Sequence, residues 1–242
     1  TLVMGVSPEL LHEIEKLSSC DISDALVALG QELGGLIVDV KMFSPEMERG
    51  THKIVGPAFT VRMTYADDPS PERPDKHFLD ACPPGHIMLI QAPPGSVNSC
   101  WGGNLSLSAH SRKVLGTVVD GGTRDLLEHR ELGYPVFARF HSTLPQSTFT
   151  RPARLSCPLT FQPAQSSHPF KPTPSTTVNP GDILVCDVDG CVAIPSDMIS
   201  QVIDEAKKKR MQDQMLRYEL SKGREWEKAQ ERVKARLRSG QL

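Results

Sequence analysis

Two glycines near the middle of the chain precede a run with helical character, an arrangement that could bind a small acid. In Trp101-Gly102-Gly103-Asn104, the absence of two side chains allows a ligand to approach the free N–H groups of the first helical turn. The segment is therefore either a cradle for a carboxylate or phosphate, or a glycine turn that only starts a helix. It matches neither a P-loop nor a dinucleotide-binding GxGxxG, which argues against nucleotide-dependent chemistry.

Arg124 and Asp125 lie at the end of a second polar stretch, the predicted turn Asp120–Asp125 that follows a strand. Ligand sites of α/β proteins cluster at the carboxyl ends of such strands. The guanidinium and the carboxylate could pair with each other as a structural couple. Alternatively, Asp125 could hold a hard cation while Arg124 holds an oxyanion. The residues alone leave both interpretations open.

Other residues with possible chemistry are interpreted as structural. Asp187 and Asp189 flank a predicted hairpin turn, and the basic run 207–210 is offset by neighbouring acids, as on a solvated or subunit-interface helix. No two of the six cysteines have CxxC spacing, and the histidines form no cluster with zinc-site spacing. We therefore expect buried free thiols rather than a metal centre or disulfides.

The segments around these motifs alternate between strand and helix patterns, which predicts an α/β fold with some parallel pairing. A helical region in two parts covers 8–29, and a strand covers 53–62, with Pro57 favouring an edge or a bulge. Strands and helices then alternate in five further segments: 87–90, 105–114, 116–119, 126–132 and 136–140.

The composition changes along the remainder of the chain, from residue 142 onward. Residues 142–180 are rich in Pro, Ser and Thr, as a disordered linker would be, although Leu155–Phe161 could hold one short strand. A hairpin around Asp189-Gly190 follows, and then a long charged helix from Met198 to about Gly223, with a second helical stretch to Ser239. The predicted division is a domain over 1–195, with the insert at about 142–180, and a helical extension over 196–242 at a subunit interface.

The composition is that of a globular protein without a strong charge bias. Of 242 residues, 38% are hydrophobic, and 27 basic and 29 acidic residues nearly cancel. No run approaches the ~18 apolar residues of a membrane-spanning helix, and charges interrupt the N-terminal apolar residues before a secretory segment could form. The sequence therefore predicts a cytoplasmic protein with no nucleic-acid or membrane partner.

Over roughly residues 8–215 the sequence resembles the RraA-like proteins, which include the 4-hydroxy-4-methyl-2-oxoglutarate/4-carboxy-4-hydroxy-2-oxoadipate aldolases. The resemblance implies an α/β fold of the swivelling β/β/α sandwich type, assembled as a homotrimer or a dimer of trimers with active sites between subunits. The similar segments occur in family order: Cys20–Leu26, Val55–Val61, Trp101–Leu105, Gly116–Asp125, Tyr134–Phe137 and Pro180–Pro195.

The function that the resemblance implies is a class II pyruvate aldolase that requires Mg²⁺ or Mn²⁺. Such an enzyme cleaves 2-oxo diacids of the 4-hydroxy-4-methyl-2-oxoglutarate type to pyruvate and also decarboxylates oxaloacetate, because both reactions pass through the same enolate. The family also contains non-enzymatic, protein-binding regulators of RNA degradation, which is the alternative function.

The resemblance also assigns roles to individual residues. Asp125 would bind the metal, and Arg124 would be the catalytic residue that contacts the pyruvyl oxygen. Asp213 of the C-terminal helix would reach the metal through water from a neighbouring subunit. Aldolases of the family carry a further acid at the position of Gly103, for which Asn104 would substitute only in part. Arg124 would thereby also bind the substrate, whose carboxylate would be bound by the backbone N–H groups of Gly102, Gly103, Asn104 and Leu105.

Overall fold

The computed structural model describes residues 6–163 and 173–239, which form eleven strands and seven helices. The strands are β1 (Lys41–Ser44), β2 (Ile54–Tyr65), β3 (Ile87–Gln91), β4 (Ser99–Trp101), β5 (Gly116–Thr123), β6 (Val136–His141), β7 (Thr150–Leu155), β8 (Leu159–Phe161), β9 (Thr176–Val178), β10 (Ile183–Asp187) and β11 (Gly190–Ile194). The helices are α1 (Pro8–Glu15), α2 (Ser19–Ala28), α3 (Phe78–Ala81), α4 (Gly103–Ser111), α5 (Leu126–Leu132), α6 (Ile199–Ser221) and α7 (Trp226–Ser239).

Nine strands form one sheet that nearly closes into a barrel. Its order is β1-β6-β5-β3-β2-β10-β11, with β4 added to β5 and β7 added to β2. The central strands β2, β3, β5 and β6 are parallel to one another. The backbone of residues 35–37 bonds to β11, because Ala193 N–H donates to the Gly35 carbonyl at 2.8 Å and Ile37 N–H donates to the Cys191 carbonyl at 2.9 Å. The two ends of the sheet therefore approach each other.

Three apolar clusters fill the fold. The first packs α3, α4 and α5 against the sheet and contains the largest buried side chains, Trp101, Tyr134 and Phe78. The second lies on the face shared by the barrel strands, where Phe161 of β8 also packs. The third joins α1, α2 and α6 to the β10–β11 hairpin. The first cluster positions the candidate site, since α4 and α5 both rest on it.

The observed elements confirm the predicted α/β fold, the two-part helical region and the two C-terminal helices. The interpretation of 142–180 as a disordered linker is wrong, because β7, β8 and β9 lie there and β7 pairs with β2 over Tyr65–Val61. The short strand expected within Leu155–Phe161 is present as β8. Residues 164–172 lie outside the described part. Pro57 is not on an edge strand. Ala58 N–H bonds to the Asp182 carbonyl on the β10 side, so position 57 faces β3, and its missing N–H is tolerated because pairing with β3 begins only at Ala58.

The thiols are free, as predicted, but they are not all buried. Cys20 is exposed and Cys157 is half-buried, whereas the other four lie in the core. Among the described residues, no helix combines the length and the apolar character needed to cross a bilayer.

Candidate functional site

The glycine pair at 102–103 forms the start of α4. Gly102 is the N-cap residue; its backbone is extended, and it has no side chain that could cap the helix, which begins at Gly103. The N–H of Gly103 instead donates to Oδ2 of Asp125 at 2.9 Å, and that of Leu105 donates to the Gly102 carbonyl at 3.1 Å. Within the described residues, the N–H of Asn104 has no partner. It is therefore a backbone donor of this turn that a ligand could use.

Asp125 has a backbone conformation that directs its carboxylate toward α4. β5 runs to Thr123, longer than predicted, so Asp120–Thr123 belong to the strand rather than to a turn. Asp125 follows with φ 61° and ψ 44°, the left-handed region that Asp tolerates better than most residues. It occupies the N-cap position of α5 without capping it, because its side chain bonds to Gly103 instead. Such backbone outliers are frequent at functional sites.

Arg124 and Asp125 are in contact and are also open to solvent. Nε of Arg124 lies 3.3 Å from Oδ2 of Asp125, and the two side chains are 40% and 30% exposed. Oδ2 therefore accepts from both Gly103 and Arg124, whereas Oδ1 has no partner within the described residues. The couple is self-paired through one oxygen and retains a carboxylate oxygen and most of the guanidinium for a ligand.

These groups share one cleft with a volume of ≈ 310 Å³. The start of α4 and the Arg124–Asp125 pair form one wall, and Pro145, Gln146 and Ser147 of the loop before β7 form another. The structure therefore brings together the residues predicted from two stretches of sequence, around a space large enough for a small acid. The lining residues are Ser99, Trp101, Gly102, Asn104, Leu105, Arg124, Asp125, Pro145, Gln146 and Ser147.

Glu128 is the functional candidate that sequence reasoning missed. A Cβ atom added to Gly103 would overlap Oε2 of Glu128, so the carboxylate of Glu128 fills the space beside Gly103 that a side chain at that position would enter. Glu128 lies in the first turn of α5, three residues after Asp125 and thus on a neighbouring face. The spacing Asp125-x-x-Glu128 could have indicated this second acid.

Asp213 lies in a different part of the chain. It lines a cleft of ≈ 390 Å³ between α6 and the start of α2, among the basic side chains of Lys16, Lys53 and Arg210. Its predicted role concerns a neighbouring subunit, so it stays a prediction. Within the part of the chain that the structure describes, no three His, Cys, Asp or Glu side chains are grouped to hold a metal ion.

The largest of these clefts, ≈ 760 Å³, lies at the carboxyl ends of the parallel strands. Arg62, Gln91 and Asp120 occupy matching positions on β2, β3 and β5. Gln91 donates to Asp120 at 3.2 Å and to the Thr160 carbonyl at 2.7 Å, and Arg139 forms an ion pair with Asp120. Burial raises the pKa of Asp120, although Arg139 opposes the shift. The polar groups of this row bind one another and hold β8 against the sheet.

The fold is of the mixed α/β class, and solved structures share it. An uncharacterised protein from Pseudomonas syringae pv. tomato superposes with a TM-score of 0.74 at 24% identity, covering 94% of this chain and 99% of that one. Streptomyces coelicolor RraAS2, described as an unusual member of the RNase ES inhibitor RraA protein family, gives 0.69 at 22% identity, covering 89% and 99%.

The sequence comparisons identify the family. Residues 19–193 match the family model RraA-like (Aldolase/RraA), and the chain belongs to this family. Protein DlpA of Legionella pneumophila is 28% identical over 225 residues, which are 93% of this chain and 34% of DlpA, so the chain spans about a third of that relative. A putative 4-hydroxy-4-methyl-2-oxoglutarate aldolase of Halalkalibacterium halodurans is 28% identical over 162 residues, 67% of this chain and 69% of that protein.

Proposed function

We propose that this chain is a divalent-metal-dependent lyase that releases pyruvate from a 2-oxo diacid. Its two reactions would be aldol cleavage of a 4-hydroxy-4-methyl-2-oxoglutarate-type substrate and decarboxylation of oxaloacetate. The observation that carries the proposal is the convergence of Arg124, Asp125 and the first turn of α4 on one cleft. Membership of the RraA-like family and the name of the Halalkalibacterium relative support it.

The donor set of the cleft fits a hard divalent cation. Asp125 offers Oδ1, which has no other partner within the described residues. Mg²⁺ is typically held by one or two carboxylates, with water and substrate oxygens as the other ligands, and Mn²⁺ accepts the same oxygen donors. When bound, the ion would supply positive charge beside the 2-oxo oxygen of the substrate as that oxygen becomes an enolate.

Arg124 and the start of α4 would bind the substrate from the protein side. The free part of the Arg124 guanidinium can donate to the 2-oxo oxygen and stabilise negative charge that develops there. The N–H of Asn104 lies at the positive end of the α4 dipole. It can donate to the substrate carboxylate that is adjacent to the 2-oxo group. Both reactions generate the enolate of pyruvate, so one arrangement serves both.

The two reactions differ in the proton that must be moved. Aldol cleavage requires a base to take the proton from the 4-hydroxyl group as the C3–C4 bond breaks. Decarboxylation releases CO₂ from a carboxylate and needs no such base. Glu128 lies close to Asp125 along α5 and beside the start of α4, so its carboxylate is the proposed base, directly or through one water.

The proposal is tested by measuring pyruvate release from oxaloacetate and from 4-hydroxy-4-methyl-2-oxoglutarate with Mg²⁺ or Mn²⁺, before and after EDTA. We expect turnover that EDTA abolishes and metal restores. Asp125→Asn should remove it, whereas Asp24→Asn, on the exposed side of α2, should not. Absence of turnover, or turnover that neither EDTA nor Asp125→Asn changes, would contradict the proposal and favour the protein-binding alternative.

A further inference from the structure

Behind the cleft, four fully buried residues form a closed ring of hydrogen bonds, here called the Trp101 ring. Nε1 of Trp101 donates to Oγ of Ser106 at 2.7 Å, and Ser106 in turn contacts Nδ1 of His129 at 3.0 Å. Nε2 of His129 lies 3.2 Å from Oγ1 of Thr123, which donates to the backbone carbonyl of Trp101 at 3.4 Å. The chain of contacts thus returns to the residue where it started.

The hydrogen-bond partners in the ring determine which atom carries each proton. The hydroxyl of Thr123 donates to the Trp101 carbonyl and can therefore only accept from His129, which places the His129 proton on Nε2. Nδ1 is then an acceptor for the hydroxyl of Ser106, and Ser106 accepts from Trp101, whose indole nitrogen is only a donor. Every polar group is satisfied in one direction around the ring. Buried networks of this kind specify a single geometry when all members are paired.

The members of the ring are sequence neighbours of the residues to which the proposed function gives roles. Trp101 precedes Gly102, Thr123 precedes Arg124, and His129 follows Glu128. The carbonyl of Trp101 also accepts the N–H of Arg124 at 3.0 Å. The backbone ladder is irregular here, because the register between β4 and β5 shifts between Ser99 and Trp101. Side chains therefore supply part of the connection that a regular ladder would give.

We propose that the Trp101 ring sets the position of the α4 start relative to Arg124, Asp125 and Glu128, so that Ser106, Thr123 and His129 are positioning residues of the reaction. The inference rests on the proposed function for its catalytic consequence. None of the three side chains lines the cleft, so the ring would act through the backbone of the residues that do. Groups that orient metal ligands from behind commonly change activity by on the order of 10- to 100-fold when they are removed.

Thr123→Val tests the inference, because it keeps the shape of the side chain and removes the hydroxyl. Thr117→Val is the matched control: Thr117 is buried in the same strand, and its hydroxyl bonds to Tyr134 at 3.0 Å, away from the cleft. We expect both variants to lose thermal stability, but only Thr123→Val to lower kcat, by about tenfold with a smaller change in KM. Thr123→Ser should restore kcat to within about twofold, and Ser106→Ala should repeat the loss if Thr123→Val folds poorly.

Nuclear magnetic resonance supplies a measurement that needs no turnover. In Thr123→Val we expect the indole N–H signal of Trp101 and the amide signals of Gly103 and Asp125 to move, and in Thr117→Val to stay. Trp226→Phe assigns the two indole signals, since the chain has two tryptophans. Unchanged Gly103 and Asp125 signals in Thr123→Val would overturn the inference, as would equal kcat values for the two valine variants. A wild-type chain without turnover would contradict the proposed function alone.

Discussion

The N–H group of Gly103 and the carboxylate of Asp125 are joined by a 2.9 Å hydrogen bond across 22 positions of sequence. This bond places the first turn of α4 against the turn that leads into α5. Because it uses Oδ2, it leaves Oδ1 of Asp125 for a ligand, beside the guanidinium of Arg124. The arrangement explains why Asp125 does not cap its own helix: its carboxylate bonds to the neighbouring helix instead.

Replacing Arg124 should have a large effect on turnover and a small one on folding. Arg124→Ala removes the donor proposed for the 2-oxo oxygen, which should cost about 3 kcal/mol of transition-state stabilisation, or on the order of 10²- to 10³-fold in kcat. Arg124→Lys should recover little, because a lysine lacks the planar set of donors. Steady-state pyruvate release measures the effect. Arg112→Ala, which breaks a surface ion pair with Asp80, is the control and should leave kcat unchanged.

Replacing Glu128 should separate the two proposed reactions. Glu128→Gln keeps the size of the side chain and removes the base, so aldol cleavage should fall by about 10²-fold or more while oxaloacetate decarboxylation falls much less. Parallel assays of pyruvate release from the two substrates give the ratio. Glu131→Gln, also on α5 but not in the position beside Gly103 that Glu128 occupies, should leave the ratio unchanged. Equal losses in both reactions would contradict the role of Glu128 as a base.

A carboxylate should also serve as the base for aldol cleavage when it is placed at position 103 of α4 instead of position 128 of α5. The double variant Gly103→Asp/Glu128→Ala removes the two Glu128 atoms that a Cβ at position 103 would overlap, and leaves the Cβ of residue 128 at 3.0 Å, so a small backbone shift makes room for the new side chain. We expect aldol cleavage to recover to within about tenfold of the wild-type rate, whereas Gly103→Asp alone should be poorly active because the two carboxylates compete for one volume. A double-mutant cycle on kcat measures the coupling. Additive effects of the two changes would argue against a shared position.

The elements that local patterns dictate were predictable from the sequence. Helix α5 occupies 126–132, as the 3.6-residue period predicts, and the turn at Asp189-Gly190 joins β10 to β11. The strand β7 was not predictable, because its Pro- and Thr-containing sequence becomes a strand only by pairing with the distant β2. The strand propensity of a segment does not indicate which distant strand it will pair with.

The candidate site likewise combines contacts that the local sequence predicts with contacts that depend on long-range packing. Arg124 and Asp125 are adjacent in sequence, so their contact could be expected, and the glycine pair indicated an open helix start. The bond from Gly103 to Asp125 depends on the packing of α4 beside α5 and had no local signal. Glu128 was missed for a related reason: the family pattern directs attention to an acid at position 103, whereas this chain brings a carboxylate to the same space from another helix.

Thiol reactivity should follow the burial of the six cysteines. Burial raises the pKa of Cys82 to about 12 and that of Cys100 to about 11, so neither forms much thiolate at pH 8. Ellman's reagent should therefore modify Cys20 and Cys157 in the native protein and all six thiols in urea. Cys20→Ser should remove one native equivalent. Rapid native reaction of more than two thiols would contradict the burial of the other four in the core.

The link between α6 and α7 should weaken in acid, because one buried carboxylate holds three arginines. Glu219 is 1% exposed, and its oxygens lie 2.5 Å from Arg224, 3.4 Å from Arg232 and 3.5 Å from Arg236. Burial raises the pKa of Glu219, but the guanidinium groups outweigh this effect and lower it below the usual 4.5. A depressed carboxyl pKa stabilises the fold above about pH 4.5, and the contribution is lost as the pH falls through the folded-state value.

Glu219→Gln tests this link by thermal unfolding between pH 3 and pH 8. At neutral pH the variant should melt a few degrees below the wild type, because three guanidinium groups lose their carboxylate. The difference should shrink as the pH falls below about 4.5 toward the lowered pKa of Glu219, because the wild-type side chain then also becomes neutral. Glu225→Gln is the control, since Glu225 pairs with Lys228 at 2.7 Å on the exposed surface and should change the melting temperature little. A Glu219→Gln difference that stays constant across this range would show that packing, rather than charge, accounts for the contribution of Glu219.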